Sequence, residues 1–447
     1  MLDKFKGYSQ SLANKASAGA NKAVSAVGKA KKKKVTDDSQ YIVALDIGTE
    51  FVKALIAKVI NSEEAQIIGV GRTHQSLSDM QAGAIADIAS VVDNCDKALD
   101  QAEQEAGVSA RMAMIGIAGE LVKGTTTTVQ FTRKQADQAM DINEVEKIVR
   151  LVQEKAEARA KQQVAIELGG KDVEVRLVNS ALVSIDIDGY KVTNPIGFQG
   201  KQVLVQLYTA YAPLIHIGAL EKTAQELDLD LLAVAAEPFA VSRSVIGDDP
   251  NASMSAILMD VGGGTTDIAV VDEGGVQGTK MFGIGGRAFT HAIERDLAVD
   301  YPAAEELKLD LSNNSVPADK LPKVTAALNK TLEVWSGGVE LALSEFKKLD
   351  HLPHRVLLCG GGSSLEMVMD ELQGSDWYKQ LPFTRKPTVQ HIHPSQVVGI
   401  TDKTGHANDH TFITAMGLLR VGLDTMQQAS GSSTGSIREK LDRMLRV

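Results

Sequence analysis

Cysteine, aromatic residues and long apolar runs are all scarce in this chain, and each scarcity excludes something. Among 447 residues there are two cysteines, Cys95 and Cys359, too few for a disulfide framework, which points to a reducing compartment. Aromatics make up 4%, so interiors have to be packed from Ala, Val, Ile and Leu within an apolar share of 44%. No stretch approaches the roughly 18 continuous apolar residues of a membrane span. The N-terminus carries no apolar core of a signal peptide, and the expectation is a cytoplasmic protein. A G-x-x-x-x-G-K-[ST] loop is also missing, which disfavours a P-loop nucleotide site.

What is present is length, enough for two or more domains, and an uneven charge. Nine lysines (Lys4, Lys6, Lys15, Lys22, Lys29 and Lys31 to Lys34) against Asp3 give residues 1–35 a charge of +8, so a total of −10 leaves −18 on the remainder. An acidic body argues against nucleic acid as a ligand, and the basic arm suits an anionic surface or is simply a solvated tail.

From Tyr41 the text becomes globular. YIVALDIGT, FVKALIAKV and AQIIGVGRT read as three strands of a meander. Residues 87–106 and 141–163 have apolar positions at helical spacing, with Cys95 on the first apolar stripe. Strand-like runs at 112–118, 125–131, 173–187 and 202–209 surround the second helix and suggest a small α+β module inside a larger domain. Helices are expected at 214–227 and 237–247, a hairpin at 256–271, a loop-to-helix run at 283–297, mostly helix over 303–350, and a strand opening VLLCGGGSSL. QQASGSSTG at 427–435 reads as a flexible linker.

The most informative feature is a near-repeat. ALDIGTEFVKALIA at 44–57 and LMDVGGGTTDIAVV at 258–271 share an apolar strand, an Asp, a Gly-containing turn and a returning strand, and imply two related lobes. Glycines let backbone N–H groups approach phosphate oxygens. Thr49, Thr265 and Thr266 can add hydroxyl donors. Asp46 and Asp260 suit a hydrated Mg²⁺, which keeps most of its waters and needs few carboxylates. GIGGRA at 283–288 lacks a full dinucleotide fingerprint, and HIH at 391–393 has no third ligand at regular spacing.

The pair resembles the two phosphate loops of the actin, heat-shock chaperone and sugar-kinase superfamily, which implies ATP and Mg²⁺ as cofactors. In that resemblance Asp46, Gly48, Thr49, Asp260, Gly262, Gly263, Gly264 and Thr265 cradle phosphates and metal. Lys53, seven residues after Asp46, contacts phosphate or packs the strand. EPFAVS at 237–242 resembles the first connecting helix, with Glu237 orienting the attacking water. Gly285 and Gly286 sit beside the nucleotide at a helix start, and AAEELK offers Glu305 and Lys308 to the nucleoside. CGGGSSL resembles the adenosine loop, with Gly360, Gly361, Gly362 and Ser363, and ITAMGLL at 413–419 the second connecting helix, where Ala415 and Gly417 permit close helix contact.

Within the superfamily, GVSARMAMIGIAG at 107–119 and TNPIGFQGKQVLVQLYTAYAP at 193–213 resemble passages of the bacterial FtsA family that border an inserted SHS2 subdomain, and VVGITD at 397–402, shortly before the second connecting helix, is also similar to that family. Residues 159–175, 309–335 and the basic arm depart from that family's wording. The implied fold is α/β: two actin-like lobes with a small inserted α+β subdomain. The expected parts are a basic arm (1–39), lobe I (40–119 and 206–247), the insert (120–205), lobe II (248–290, a helical subdomain 291–354, and 355–423), a linker (424–435) and an amphipathic helix (436–447).

In SIREKLDRMLRV, Ile437, Leu441, Met444, Leu445 and Val447 share one helical face flanked by Arg438, Lys440, Arg443 and Arg446. Such a helix lies in an anionic membrane interface or docks on protein. The resemblance implies a peripheral protein on the cytoplasmic face of the membrane at the division site, with at most slow, regulatory ATP hydrolysis. Its implied partners are itself in filaments, an FtsZ-like tubulin homologue and other division proteins. The alternatives are a PilM-like type IV pilus adaptor and a small-molecule kinase of the same superfamily.

Overall fold

The computed structural model describes residues 40–170, 173–246, 254–313, 315–374 and 376–430. The basic arm at 1–39 and the expected membrane helix, with Ile437, Arg438, Leu441, Arg443, Met444, Leu445 and Arg446, lie outside them.

The first lobe opens with the meander β1 (Tyr41–Ile47), β2 (Phe51–Val59) and β3 (Ala65–His74), followed by a short ribbon, β4 (Met80–Gln81) and β5 (Ala84–Ile85). Helix α1 (Ile88–Ala106) starts where the Asp87 carboxylate accepts from the amides of Ala89 and Ser90 and ends at the left-handed Gly107. Its apolar stripe, Cys95 included, is buried. Strand β6 (Met112–Ile117) then lies parallel to β1. The insert follows as β7 (Lys123–Thr132), α2 (Ile142–Glu167), β8 (Val175–Ile187), β9 (Tyr190–Val192) and β10 (Gln202–Pro213). The chain returns through α3 (Leu214–Glu226) to β11 (Asp230–Ala236), parallel to β6, and α4 (Glu237–Ile246).

The second lobe repeats this plan. A meander of β12 (Ala256–Val261), β13 (Thr266–Asp272) and β14 (Gly275–Phe282) precedes α5 (Gly286–Leu297), α6 (Tyr301–Ser312) and α7 (Leu321–Ser344). Strand β15 (Arg355–Cys359) lies parallel to β12, and after α8 (Glu366–Gly374), β16 (Thr388–His391) lies parallel to β15. The short β17 (Ile400–Asp402) crosses back to pair with β3, and α9 (Ile413–Ser430) closes the described chain. The two sheets therefore contain matching orders, β3-β2-β1-β6-β11 and β14-β13-β12-β15-β16. One aliphatic core fills the first lobe and continues onto one face of the second lobe's strands, through Leu258, Ala269, Val271 and Leu357, while the other face of those strands packs a separate core around the fully buried Trp335. Where α4 meets α9 the backbones touch: a Cβ on Gly417 would come within 2.3 Å of the Ala240 carbonyl oxygen.

Several sequence expectations change. The insert leaves from and returns to the first lobe, yet its strands extend the second lobe's sheet, in the order β14-β7-β10-β8-β9. The junction is one bridge, Gly278 to Thr125, supported by Thr126 Oγ1 donating to the Val276 carbonyl at 2.6 Å. Three expected boundaries fall inside continuous elements: 205 within β10, 290 within α5 and 423 within α9. The last helix runs to Ser430, through the first part of the expected linker. Strands β11 and β14 and the ribbon β4–β5 were not expected. Glycines and polar residues interrupt β14 and the ribbon strands are two residues each, whereas β11 is an apolar run at 231–236 squeezed between two helices.

Candidate functional site

The two halves of the near-repeat build equivalent turns. In the first, the Gly48 amide donates to the Phe51 carbonyl at 3.1 Å; in the second, the Gly262 amide donates to the Thr265 carbonyl at 2.9 Å. Strand register then sets Asp46 opposite Lys53 and Asp260 opposite Asp267. Both turns face a cleft of about 340 Å³ between the lobes, within the ~300–1,000 Å³ range of small-molecule sites. Of the residues expected there, Asp46, Gly48, Thr49, Lys53, Glu237, Asp260, Gly262, Gly263, Thr265, Gly286, Glu305, Lys308, Gly360, Gly361 and Gly362 all border it.

The floor is a buried charge cluster. Lys53 Nζ lies 3.0 Å from Asp46 Oδ2. Burial works against its ammonium, but Asp46 and Asp260 outweigh it and hold its proton affinity above the ordinary value. Asp260 also accepts from the Thr414 hydroxyl of α9. Burial pushes the carboxyls of Glu237, Asp260 and Asp267 upward; Asp46 next raises Glu237, and Asp260 next raises Asp267. Asp267 accepts from Thr265 Oγ1 at 3.0 Å, while its Oδ1 has no partner. Such a carboxylate-rich pocket around one ammonium favours additional positive charge. Among the described residues no three His, Cys, Asp or Glu side chains are disposed to ligate a metal directly.

On the far wall, Lys308 Nζ donates to Glu305 Oε2 at 2.7 Å, to Thr290 Oγ1 at 2.8 Å and to the Gly286 carbonyl at 3.3 Å, which ties α6 to the start of α5. Gly360 has φ +82°, and a Cβ there would meet Asp260 Oδ1 at 2.0 Å and the Val261 carbonyl at 2.5 Å. Only glycine fits that position. Behind this loop the rings of His391 and His410 stack 4.0 Å apart; His391 contacts the Ser363 carbonyl and His410 the Ser364 hydroxyl. His391, the first histidine of HIH, thus braces the loop.

Four expected donors sit elsewhere. Ser363 turns inward and donates to the Gly360 carbonyl at 2.7 Å, leaving Ser364 on the cleft. Thr266 donates to the Ile284 carbonyl and accepts from Trp335 Nε1, a packing role. Gly264 lies against Thr49 and Gly285 against Gly262, next to the cleft rather than lining it. Conversely, Asp267, Glu50, Arg72 and Arg287 border the cleft and were not expected. Asp267 carried a readable signal, because it stands seven residues after Asp260 as Lys53 stands after Asp46.

Residues 257–417 match the family model described as cell division protein FtsA. Curated relatives extend the likeness over most of the chain. Cell division protein FtsA of Pseudomonas aeruginosa is 26% identical over 433 residues, covering 91% of this chain and 96% of the relative. Over most of its length the chain is similar to FtsA proteins. The FtsA of Neisseria meningitidis serogroup B is 24% identical over 90% of this chain and 94% of its own length. The FtsA of Bacillus subtilis is 23% identical over 62% of this chain and 59% of its own length. Among solved structures, a PilM–PilN type IV pilus biogenesis complex superimposes with TM-score 0.60 and 17% identity, covering 86% of this chain and 98% of that one. At that identity the likeness speaks for the fold alone, and that fold is the two-lobed actin-like α/β arrangement expected from the sequence. Among the described residues no helix is long and apolar enough to cross a membrane.

Proposed function

We infer that this chain binds Mg·ATP between its lobes and works as a peripheral membrane adaptor. In that reading it polymerises and tethers an FtsZ-like tubulin homologue to the cytoplasmic face of the membrane during division. The observation that carries the nucleotide reading is the pair of equivalent turns converging on one buried carboxylate–lysine cluster. The residues suit the ligand: three buried acids with raised proton affinity and an unpartnered Asp267 oxygen favour a cation, and the glycines of both turns admit phosphate oxygens. Asp46 and Asp260 would hold Mg²⁺ through its water shell, since two carboxylates are enough for that ion. Gly360 to Gly362, Glu305 and Lys308 would hold the nucleoside.

When bound, the nucleotide would supply a polyanion and a hydrolysable anhydride. Glu237, buried at the head of α4 and bordering the cleft, orients water there through a carboxyl whose proton affinity burial and Asp46 have raised. Membrane attachment is assigned to the amphipathic segment 436–447 and self-association to the insert, as the family resemblance implies. Many weakly bound helices carried on one filament would hold a membrane tightly through effective concentration.

The test is a calorimetric titration of the full chain with ATP and Mg²⁺ beside Asp260→Ala. Affinity is expected to fall at least tenfold in the variant, and equal affinities would end the two-turn reading. Co-sedimentation of an FtsZ-like protein with vesicles only when this chain is added would support the tether, and its absence would count against it.

A further inference from the structure

Arg287 stands in the first turn of α5, in the second lobe, yet its guanidinium is committed to the first. Nε meets Glu50 Oε2 at 2.6 Å and Nη2 donates to the Thr49 carbonyl at 2.6 Å. The two side chains are 10% and 20% exposed. Glu50 is braced from behind: His74 Nε2 lies 2.7 Å from its Oε1, and its carbonyl accepts from the Gln75 amide at 2.9 Å. The two turns also touch, since a Cβ on Gly263 would come within 2.8 Å of Glu50 Cβ and one on Gly264 within 2.9 Å of Thr49 Oγ1. On its own side, the Arg287 amide donates to the Gly263 carbonyl at 2.7 Å and the Gly286 amide to the Gly262 carbonyl at 2.9 Å. Since Lys308 binds the Gly286 carbonyl, a continuous run of contacts leads from the Glu305–Lys308 pair through α5 to Thr49 in the opposite lobe.

We propose that Arg287 is a cross-lobe positioning residue that, with Glu50, clasps the first phosphate turn to the second lobe and governs how fast nucleotide leaves the cleft. The proposal rests on the nucleotide reading above. A guanidinium suits the task because its rigid fork serves a carboxylate and a carbonyl at once, which an ammonium on a flexible stem does less well. Removing one partner leaves the other charge largely buried and uncompensated, an effect that shows mainly in dissociation rates.

The experiment is stopped-flow displacement of a fluorescent ATP analogue, with Mg²⁺, from the full chain and from Arg287→Gln, Arg287→Lys, Glu50→Gln and the charge-swapped Glu50→Arg/Arg287→Glu. Release is expected to quicken roughly tenfold in Arg287→Gln and Glu50→Gln, with association changed less. Arg287→Lys should be intermediate, and the charge swap should recover part of the loss. Release as slow in both single variants as in wild type overturns the clasp. If Arg287→Gln does not fold, Glu50→Gln decides, since it removes only a charge. If wild type binds no analogue, the nucleotide reading fails, and the clasp is then judged by amide exchange at Thr49 to Val52 without nucleotide. Faster exchange in Glu50→Gln supports it, and unchanged exchange overturns it.

Discussion

Asp267→Asn is expected to stabilise the protein in the absence of nucleotide and divalent cation. Asp267 is 4% exposed, directly opposite Asp260 in the strand register, and one of its oxygens has no partner. Burial first and Asp260 second raise its carboxyl well above the ordinary value. Because the folded-state proton affinity exceeds the unfolded one, this group favours folding fully below the ordinary carboxylate pKa of about 4, and that contribution is lost as pH rises through the raised folded value. Glu237 and Asp260 shift the same way, so the ligand-free chain should lose stability from mildly acidic toward neutral pH. Asparagine keeps an oxygen for the Thr265 hydroxyl and carries no charge. Removal of one uncompensated buried carboxylate charge corresponds to about 1–2 kcal/mol, or roughly 1–2 °C in melting temperature at about 2 cal/mol/K per residue over a chain of this length. Thermal melts with EDTA from pH 5.5 to 8 measure it, and the variant should also show a shallower pH dependence. A variant that melts below wild type at pH 7.5 in EDTA would refute the electrostatic account. Mg·ATP should reverse the order if the cluster exists to hold a cation.

Two further outcomes follow from single residues. Gly360→Ala must place a Cβ against Asp260 Oδ1 at φ +82°, so a loss of roughly 2–5 kcal/mol is expected in chemical denaturation; a loss below about 1 kcal/mol would mean that the loop relaxes freely. Leu441→Glu/Leu445→Glu, made in a chain lacking residues 1–39, should stop co-sedimenting with anionic vesicles, because each fully buried large apolar side chain contributes about 1.5–3 kcal/mol and insertion is only partial. Pelleting equal to that of the parent chain would remove the terminal helix as the anchor.

The local patterns of the chain carried a large share of this picture. Asp46 and Asp260 were legible because an apolar strand, an acid and a Gly turn recur 214 residues apart, and a turn closed by a hydrogen bond three residues along needs nothing outside its own segment. The same holds for α1, whose apolar stripe, Asp87 cap and Gly107 stop all lie in one stretch. Asp267 was legible in principle through its shared offset with Lys53, and it was missed because an acid beside an acid has no meaning until burial is known. Ser363 and Thr266 show the reverse: residue type suggested donors to a ligand, and packing gave their hydroxyls to the Gly360 and Ile284 carbonyls.

Other features exist only in three dimensions. The bond between Arg287 and Glu50 joins residues 237 positions apart, and that between Thr414 and Asp260 spans 154. The insert's strands align on the second lobe through a single bridge at Gly278, although the chain enters and leaves the insert from the first. Hydrophobic periodicity states which face of a segment is buried, but not which other segment covers it. That choice belongs to the packing of the whole chain, and here it turned two similar hairpins into facing walls of one cleft.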